Sequence, residues 1–313
     1  MQQFPESKHI CIERVTPALD GGRYPVKREV GDALTVRADV LRDGHDKIIA
    51  RIRYRKQGMN VWQSVSMQCL NPGLDLWQGT FQVTDMGFYE YAVEAYCDLY
   101  GSWAADTRKK LDARQPSSSD LLEGLAMGKR FLDWVKGPDR DVLSRTLQSA
   151  ESAIQDSERA AILLTPEILR ITMENPDPVT QVISEPVLRV WVDRVRARYA
   201  AWYELFPRSA GKNPAKSGTF REVEERLPEI KGMGFDVLYF PPIHPIGLAN
   251  RKGRNNSLKA ETTDPGCPYS IGGHEGGHDA IEPGLGTFED FARLTKKCKE
   301  IGMEIALDFA INC

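Results

Sequence analysis

The spacing of hydrophobic positions changes twice along this chain. From Ile10 to about Asp112 apolar and polar residues alternate, most clearly in Leu34–Val40, Ile49–Arg55, Trp77–Val83 and Gly87–Ala95. Turn-forming clusters at Arg42–Asp46 and Asn71-Pro72-Gly73 separate these runs. Period-two alternation broken by such clusters predicts short half-buried strands. Strands at this spacing suggest an all-β sandwich of immunoglobulin-like type over residues 1–113. Trp62, Trp77, Tyr89 and Tyr91 read as core or sheet-face residues, because aromatics are enriched in strands. The alternative, a carbohydrate-binding face, needs aromatics aligned on one exposed side.

Residues 114–120 hold Pro116 and a run of serines and read as a linker. The period then becomes helical, and residues 114–199 are expected to form a helical insert domain. Ser119 or Asp120 caps a first helix whose apolar face is Leu122, Leu125, Phe131, Leu132 and Val135. A second helix is expected over Asp139–Asp156. A long third is expected over Glu185–Tyr199, with Val187, Val190, Trp191 and Val195 inward. Thr165-Pro166 and Asn175-Pro176-Asp177-Pro178 break the pattern between them.

From residue 200 onward the reading is strand, helix, strand, long loop, helix, strand. Trp202–Phe206 and Asp236–Phe240 are short apolar strands closed by prolines. Thr219 caps a helix to Lys231, with Glu222 three residues on and Phe220, Val223, Leu227 and Ile230 on one face. Pro228 should kink or shorten it. Thr287 and Asp290 repeat the capping pattern, and Phe288, Phe291, Leu294, Cys298 and Ile301 recur at helical spacing up to Gly302. Ile305–Ile311 is nearly all apolar and reads as a buried parallel strand, with Asp308 and Asn312 as polar exceptions. In an α/β barrel the C-terminal ends of such strands face the active site.

Composition narrows the function classes. The 313 residues are 41% hydrophobic and 27% charged, which is ordinary globular material long enough for two or three domains. A net charge of −3 and a pI near 6.0 give no reason to expect nucleic acid or an anionic membrane as partner. No apolar run reaches membrane length, and the first residues lack a signal pattern. Six scattered cysteines with no Cys-x-x-Cys suit reduced thiols and a cytoplasmic location.

Two stretches carry candidate chemistry. His274-Glu275-Gly276-Gly277-His278 matches the zinc-protease pattern, which needs both imidazoles one turn apart on a helix. Gly272, Gly273, Gly276 and Gly277 would each cost roughly 1 kcal/mol in a helix, so the segment is expected to be a loop, with no metal. Asn250-Arg251-Lys252-Gly253-Arg254-Asn255-Asn256 offers cations and amides that could hold a phosphate, or could form a solvated basic loop.

Several segments carry a resemblance. They are Tyr203–Ser209, Gly234–Ile243, Pro283–Phe291 and Asp308–Asn312, and they resemble the first three strands of an alpha-amylase superfamily (β/α)8 barrel. More narrowly, Ala201–Ser209, Pro242–Gly247 with Arg251–Asn256, and Gly277–Ile281 resemble the alpha-1,4-glucan:maltose-1-phosphate maltosyltransferases. Amylases usually carry Asp-Tyr where this chain has Gly277-His278, and Asn-His where it has Asn312-Cys313. The maltosyltransferases tend to carry Gln at the position of Asn312.

The resemblance implies that residues 200–313 begin an incomplete catalytic barrel. It implies a retaining transfer of maltosyl from maltose 1-phosphate to the end of an alpha-1,4-glucan, through a glycosyl-enzyme intermediate. It matches Lys252 to the family's donor-binding lysine and places Asn312 near the same sugar. It makes Asp308, His278, Asn256 and Arg254 supporting residues, requires no cofactor, and implies a homodimer built with the sandwich and the helical insert. The carboxylate nucleophile and the acid/base would lie on later strands, so none of the catalytic residues falls in this chain, and the chain alone is expected to be inactive. Another amylase-superfamily hydrolase or transglycosylase is the alternative enzyme. A carbohydrate-binding or dimerisation module is the non-catalytic alternative.

Overall fold

The computed structural model describes residues 9–44, 46–113 and 118–311. The chain divides into two compact units, residues 1–195 and 196–313, each with its own core.

The alternating runs of the first unit are strands: β1 (Ile10–Thr16), β2 (Val26–Glu29), β3 (Ala33–Arg42), β4 (Lys47–Lys56), β5 (Gln63–Ser66), β6 (Gln68–Asn71), β7 (Leu76–Gln82) and β8 (Gly87–Asp98). Leu34, Val36, Ala38 and Val40 of β3 are buried and Ala33, Thr35, Arg37 and Leu41 exposed, as the period of two requires, while Asp39 is buried and paired with Arg14. Two further strands, β9 (Val182–Ile183) and β10 (Leu188–Asp193), come from far along the chain. One sheet runs β1-β3-β7-β6, the other β2-β10-β8-β4-β5 with β9 beside β8. The inward residues of both sheets form one core. Tyr89 and Tyr91 lie in it, Trp77 packs partly buried against it, and Trp62 lies 4.4 Å from the Arg55 guanidinium.

β10 corrects the helix expected over Glu185–Tyr199. Leu188, Val190 and Val192 are buried while Arg189 and Trp191 are exposed, a strand's alternation rather than a helix's. Val187 and Val195, expected inward, face solvent. β10 pairs antiparallel with β8 and parallel with β2, so the last part of the expected helical segment completes a sheet. A valine-rich run of this length satisfies both periods, and the open place beside β8 decides between them.

The helices are therefore inserted between two neighbouring strands of one sheet. They are α1 (Leu99–Asp112), α2 (Ser118–Phe131), α3 (Pro138–Ser152), α4 (Asp156–Leu163) and α5 (Pro166–Glu174). α1 lies where strand was expected. Asp98 ends β8 and caps the helix by accepting from the Gly101 N–H at 2.8 Å. In α2 the inward face is Leu121, Gly124, Leu125, Gly128 and Phe131, and Leu122 is exposed, one position away from the expected face. Gly124 is required for close approach: a Cβ there would stand 1.9 Å from Cζ2 of Trp103. Pro166, expected as a break, opens α5 at its first position, where its missing N–H costs nothing.

The second unit follows the expected order: β11 (Trp202–Glu204), α6 (Phe220–Gly232), β12 (Val237–Phe240), α7 (Phe288–Glu300) and β13 (Glu304–Leu307). The three strands are parallel, with Tyr203 beside Leu238 and Leu238 beside Ile305. Both capping boxes form, with the Thr219 N–H donating to Glu222 at 2.8 Å and the Thr287 N–H to Asp290 at 3.0 Å. Pro228 lies inside α6, and the helix continues to Gly232. Leu238 and Phe240 of β12 pack with Phe220, Leu227, Leu294 and Cys298 of the two helices. Glu224, nearly buried, ties α6 to α7 by accepting from Arg293 at 2.9 Å and Lys297 at 2.6 Å.

β13 is shorter than the apolar run Ile305–Ile311 predicted. Its last pair with β12 is Leu307 beside Phe240, and Phe309 and Ile311 are exposed. Pro241 follows Phe240 and has no N–H with which to extend the ladder. No described helix is long and apolar enough to cross a membrane.

Candidate functional site

The parallel sheet sets the site. Successive side chains of a strand point to opposite faces, so Leu238 and Phe240 enter the helix-covered core and Tyr239 between them points away. Its ring lies 6.1 Å from Trp202 of the neighbouring strand. Its hydroxyl donates to Oδ2 of Asp308 at 2.6 Å. Asp308 stands one residue beyond β13, and its N–H donates to the Phe240 carbonyl at 2.9 Å. Hydrogen bonds from Tyr239 and then Tyr269 hold the Asp308 carboxyl below its usual value, and the Asp308 contact pushes the Tyr239 hydroxyl up. Burial, with help from Asp308, raises Tyr269 as well.

His278 joins the same strand ends. Its Nε2–H donates to the Ala310 carbonyl at 2.7 Å, and its ring stands 5.7 Å from Phe309 and 5.2 Å from His244. His244 donates from Nδ1 to the Ala280 carbonyl at 2.9 Å. Residues from the ends of β12 and β13 and from the long loop between them thus fix one anionic carboxylate and two imidazoles around the C-terminal edge of the sheet. A hydrogen-bonded carboxylate that stays ionised can accept from sugar hydroxyls or stabilise positive charge nearby.

The segment His274–His278 is a turn with Gly273 bridged to Gly276, so its two imidazoles are not one helical turn apart. Among the described residues no group of three or more His, Cys, Asp or Glu is arranged to hold a metal.

Lys252, Arg254 and Asn256 lie in the loop after β12. Lys252 is half-buried, and among the described residues it has no hydrogen-bond or ion-pair partner. Arg254 pairs with Asp264 at 3.4 Å, and Asn256 adopts a positive φ of 62°. Arg251, one of the cations read as able to hold a phosphate, holds the loop: its guanidinium donates to the carbonyls of Asp264, Ile246 and Gly247 at 3.1–3.3 Å. A cavity of about 510 Å3 lies among the loops after β11 and β12. Arg254 and His244 line it, and Lys252, Asp308 and His278 do not. Asp308 and His278 thus both stand at the chain that follows β13, and Lys252 makes no hydrogen bond or ion pair with either. Asn312 lies outside the described residues.

Sequence reasoning missed Tyr239, Tyr269 and His244 as site residues. Tyr239 carried a signal: it is the one residue of β12 that combines a polar tip with the period opposite to Leu238 and Phe240. His244 stood inside a recognised motif, but no local pattern shows that its ring meets His278.

Residues 8–194 match the family model described as alpha-1,4-glucan:maltose-1-phosphate maltosyltransferase, domain N/S. This chain belongs to the alpha-1,4-glucan:maltose-1-phosphate maltosyltransferase family. Residues 204–313 match the alpha amylase catalytic domain, as expected for the maltosyltransferase family's second part. The Myxococcus xanthus maltosyltransferase is 41% identical over 97% of this chain and 46% of its own length. The Rhodospirillum rubrum maltosyltransferase is 41% identical over 99% of this chain and 47% of its own length. The chain therefore spans about half the length of the curated maltosyltransferases it matches.

One prediction follows from the Tyr239–Asp308 pair. Tyr239→Phe should raise the Asp308 titration midpoint toward 3.8, the value of a free aspartate. Because the folded value is depressed, what Asp308 contributes to stability is complete above about pH 3.8 and is lost as the pH falls through the lower folded value. NMR titration of the carboxyl carbon in both proteins checks this; coincident curves would show that the hydroxyl does not set the value.

Proposed function

We propose that this chain is the N-terminal part of a retaining glycosyltransferase. It moves a maltosyl unit from alpha-maltose 1-phosphate to the end of an alpha-1,4-glucan and releases phosphate. The observation that carries the reading is the succession, in one chain, of the maltosyltransferase N/S domain and the amylase catalytic domain. Asp308, held ionised by Tyr239, and His278 support the donor sugar's site at the strand ends. Lys252 contacts the donor's phosphate, and Arg254 and Asn256 shape its loop. Lys252 is half-buried and has no hydrogen-bond or ion-pair partner among the described residues, which supports this role. Asn312 stands near the same sugar.

The two facing sheets are read as an immunoglobulin-like sandwich that, with the inserted helices, forms a homodimer interface. The three parallel strands are read as the start of a (β/α)8 barrel. Five unpaired cysteines among the described residues support a cytoplasmic location.

Retaining transfer needs a carboxylate nucleophile and an acid/base about 5–5.5 Å apart, and neither is assigned to a residue here. The chain alone, given maltose 1-phosphate and a maltooligosaccharide, should therefore release no phosphate. A protein continuing through the remaining barrel strands should release phosphate and lengthen the glucan by one maltosyl unit per phosphate. Enzyme-like turnover by the chain alone, or none by the longer protein, would overturn the reading.

A further inference from the structure

The cavity among the loops after β11 and β12 has a charge that the proposed transfer reaction does not use. Arg208 sits in the short turn that follows β11 and forms part of the wall. Its Nη1 donates to the Gly266 carbonyl at 2.9 Å, and its guanidinium lies 5.8 Å from the centre of the Phe206 ring. No carboxylate pairs with it among the described residues. Burial is the main influence on it and disfavours its charged form. A guanidinium has five N–H donors, and withdrawing it partly from water with one of them bonded to protein leaves donors ready for an acceptor.

Its surroundings add to the imbalance. Arg251, Arg254 and Lys216 also line the cavity, against the carboxylates of Asp264 and Glu282. Asp264 is engaged by Arg254 at 3.4 Å and by the Glu261 N–H at 2.8 Å. Glu282 accepts from the Ile246 N–H at 3.2 Å. Arg251 is anchored to three carbonyls, so its charge stays fixed at the wall. Four basic residues thus line a cavity of about 510 Å3 against two carboxylates, an excess of two positive charges. That volume holds a phosphate ion with room for an attached sugar.

We propose that this cavity binds a phosphate dianion, either free phosphate or the phosphate group of a sugar phosphate, with Arg208 as its principal ligand and separately from Lys252. A planar guanidinium can give two parallel N–H bonds to one phosphate, which suits Arg208 better than a point charge would. The inference stands on the cavity's charge, so it can fail while the transfer reading holds, and the reverse.

Titration calorimetry on the Lys252→Met chain tests it, since that background removes the other candidate phosphate contact. Inorganic phosphate should still bind saturably, and maltose should not compete. Adding Arg208→Gln should weaken phosphate binding roughly tenfold or more, and Arg208→Lys should weaken it less. Maltose 1-phosphate binding at least roughly tenfold tighter than phosphate would identify a sugar phosphate as the ligand; equal affinities would identify free phosphate. Circular dichroism checks folding. If Arg208→Gln fails to fold, Arg254→Gln and Lys216→Gln, both at exposed side chains, should each weaken phosphate binding several-fold. Absence of saturable phosphate binding in the Lys252→Met chain overturns the proposal. Unchanged affinity on adding Arg208→Gln, or in both exposed-site variants, overturns it as well.

Discussion

Replacing Arg51 and Arg53 together by methionine should destabilise the first unit by about 3–5 kcal/mol, because it strands a buried carboxylate. Glu94 of β8 is fully buried. It accepts from Nε of Arg51, directly opposite on β4, from Nη1 of Arg53 at 3.1 Å and from the Gln181 amide. Those two guanidiniums keep a quarter or so of their side-chain surface in water, at 23% and 28%, whereas Glu94 keeps none. The asymmetry decides which partner suffers. An arginine without Glu94 can turn to solvent, but Glu94 without its arginines keeps, among the described residues, only the Gln181 amide. For a unit of this size, thermal unfolding should fall by roughly 6–20 °C. The triple change Glu94→Leu, Arg51→Met, Arg53→Met should recover most of the loss, since apolar replacements of a buried ion cluster are often nearly neutral. Calorimetric melting of the three proteins checks this. Equal melting of the double variant and the parent would show that Glu94 needs no counter-charge.

Lys252→Met should weaken maltose 1-phosphate binding by about one to two powers of ten in a protein that carries the whole barrel. A lysine ammonium paired with phosphate in a partly dry cleft forms a charge-assisted bond worth roughly 1.5–3 kcal/mol. Each 1.4 kcal/mol is about a factor of ten in affinity. Methionine keeps much of the stem's bulk and removes only the charge. Affinity for a neutral glucan acceptor should be nearly unchanged. A parallel fall in both affinities would make Lys252 a structural residue of its loop. Unchanged donor affinity would remove Lys252 from the site altogether.

Much of the second unit was legible in its sequence. Thr219 with Glu222 and Thr287 with Asp290 announce helix starts, because a capping box is closed by residues three apart. The apolar faces of α6 and α7 follow from spacing, and Val237–Phe240 is too short and too apolar to be anything but a buried strand. The strands β3, β4, β7 and β8 were legible for the same reason: alternation and turn residues are local. The family, too, was legible, since its motifs are continuous in the chain.

What escaped the sequence depends on partners distant along the chain. Leu188–Asp193 is a strand only because β8 and β2 offer unpaired edges on either side; its own residues also fit a helix. Leu99–Asp112 looks like more sheet until Asp98 turns to cap it. Leu121 rather than Leu122 faces inward because Gly124 lets Trp103 reach the helix. At the site, the sequence supplied Asp308, His278 and Lys252 as candidates but not their neighbours. Tyr239 meets Asp308 across 69 positions of chain, and His278 meets Ala310 across 32. The excess of charge around Arg208 exists only once Gly266 and the loop after β12 close over it. Local order is set by backbone stereochemistry and periodicity, which a sequence records directly. Pairing and burial are set by which surfaces remain open after the rest has folded, and only the tertiary structure decides that.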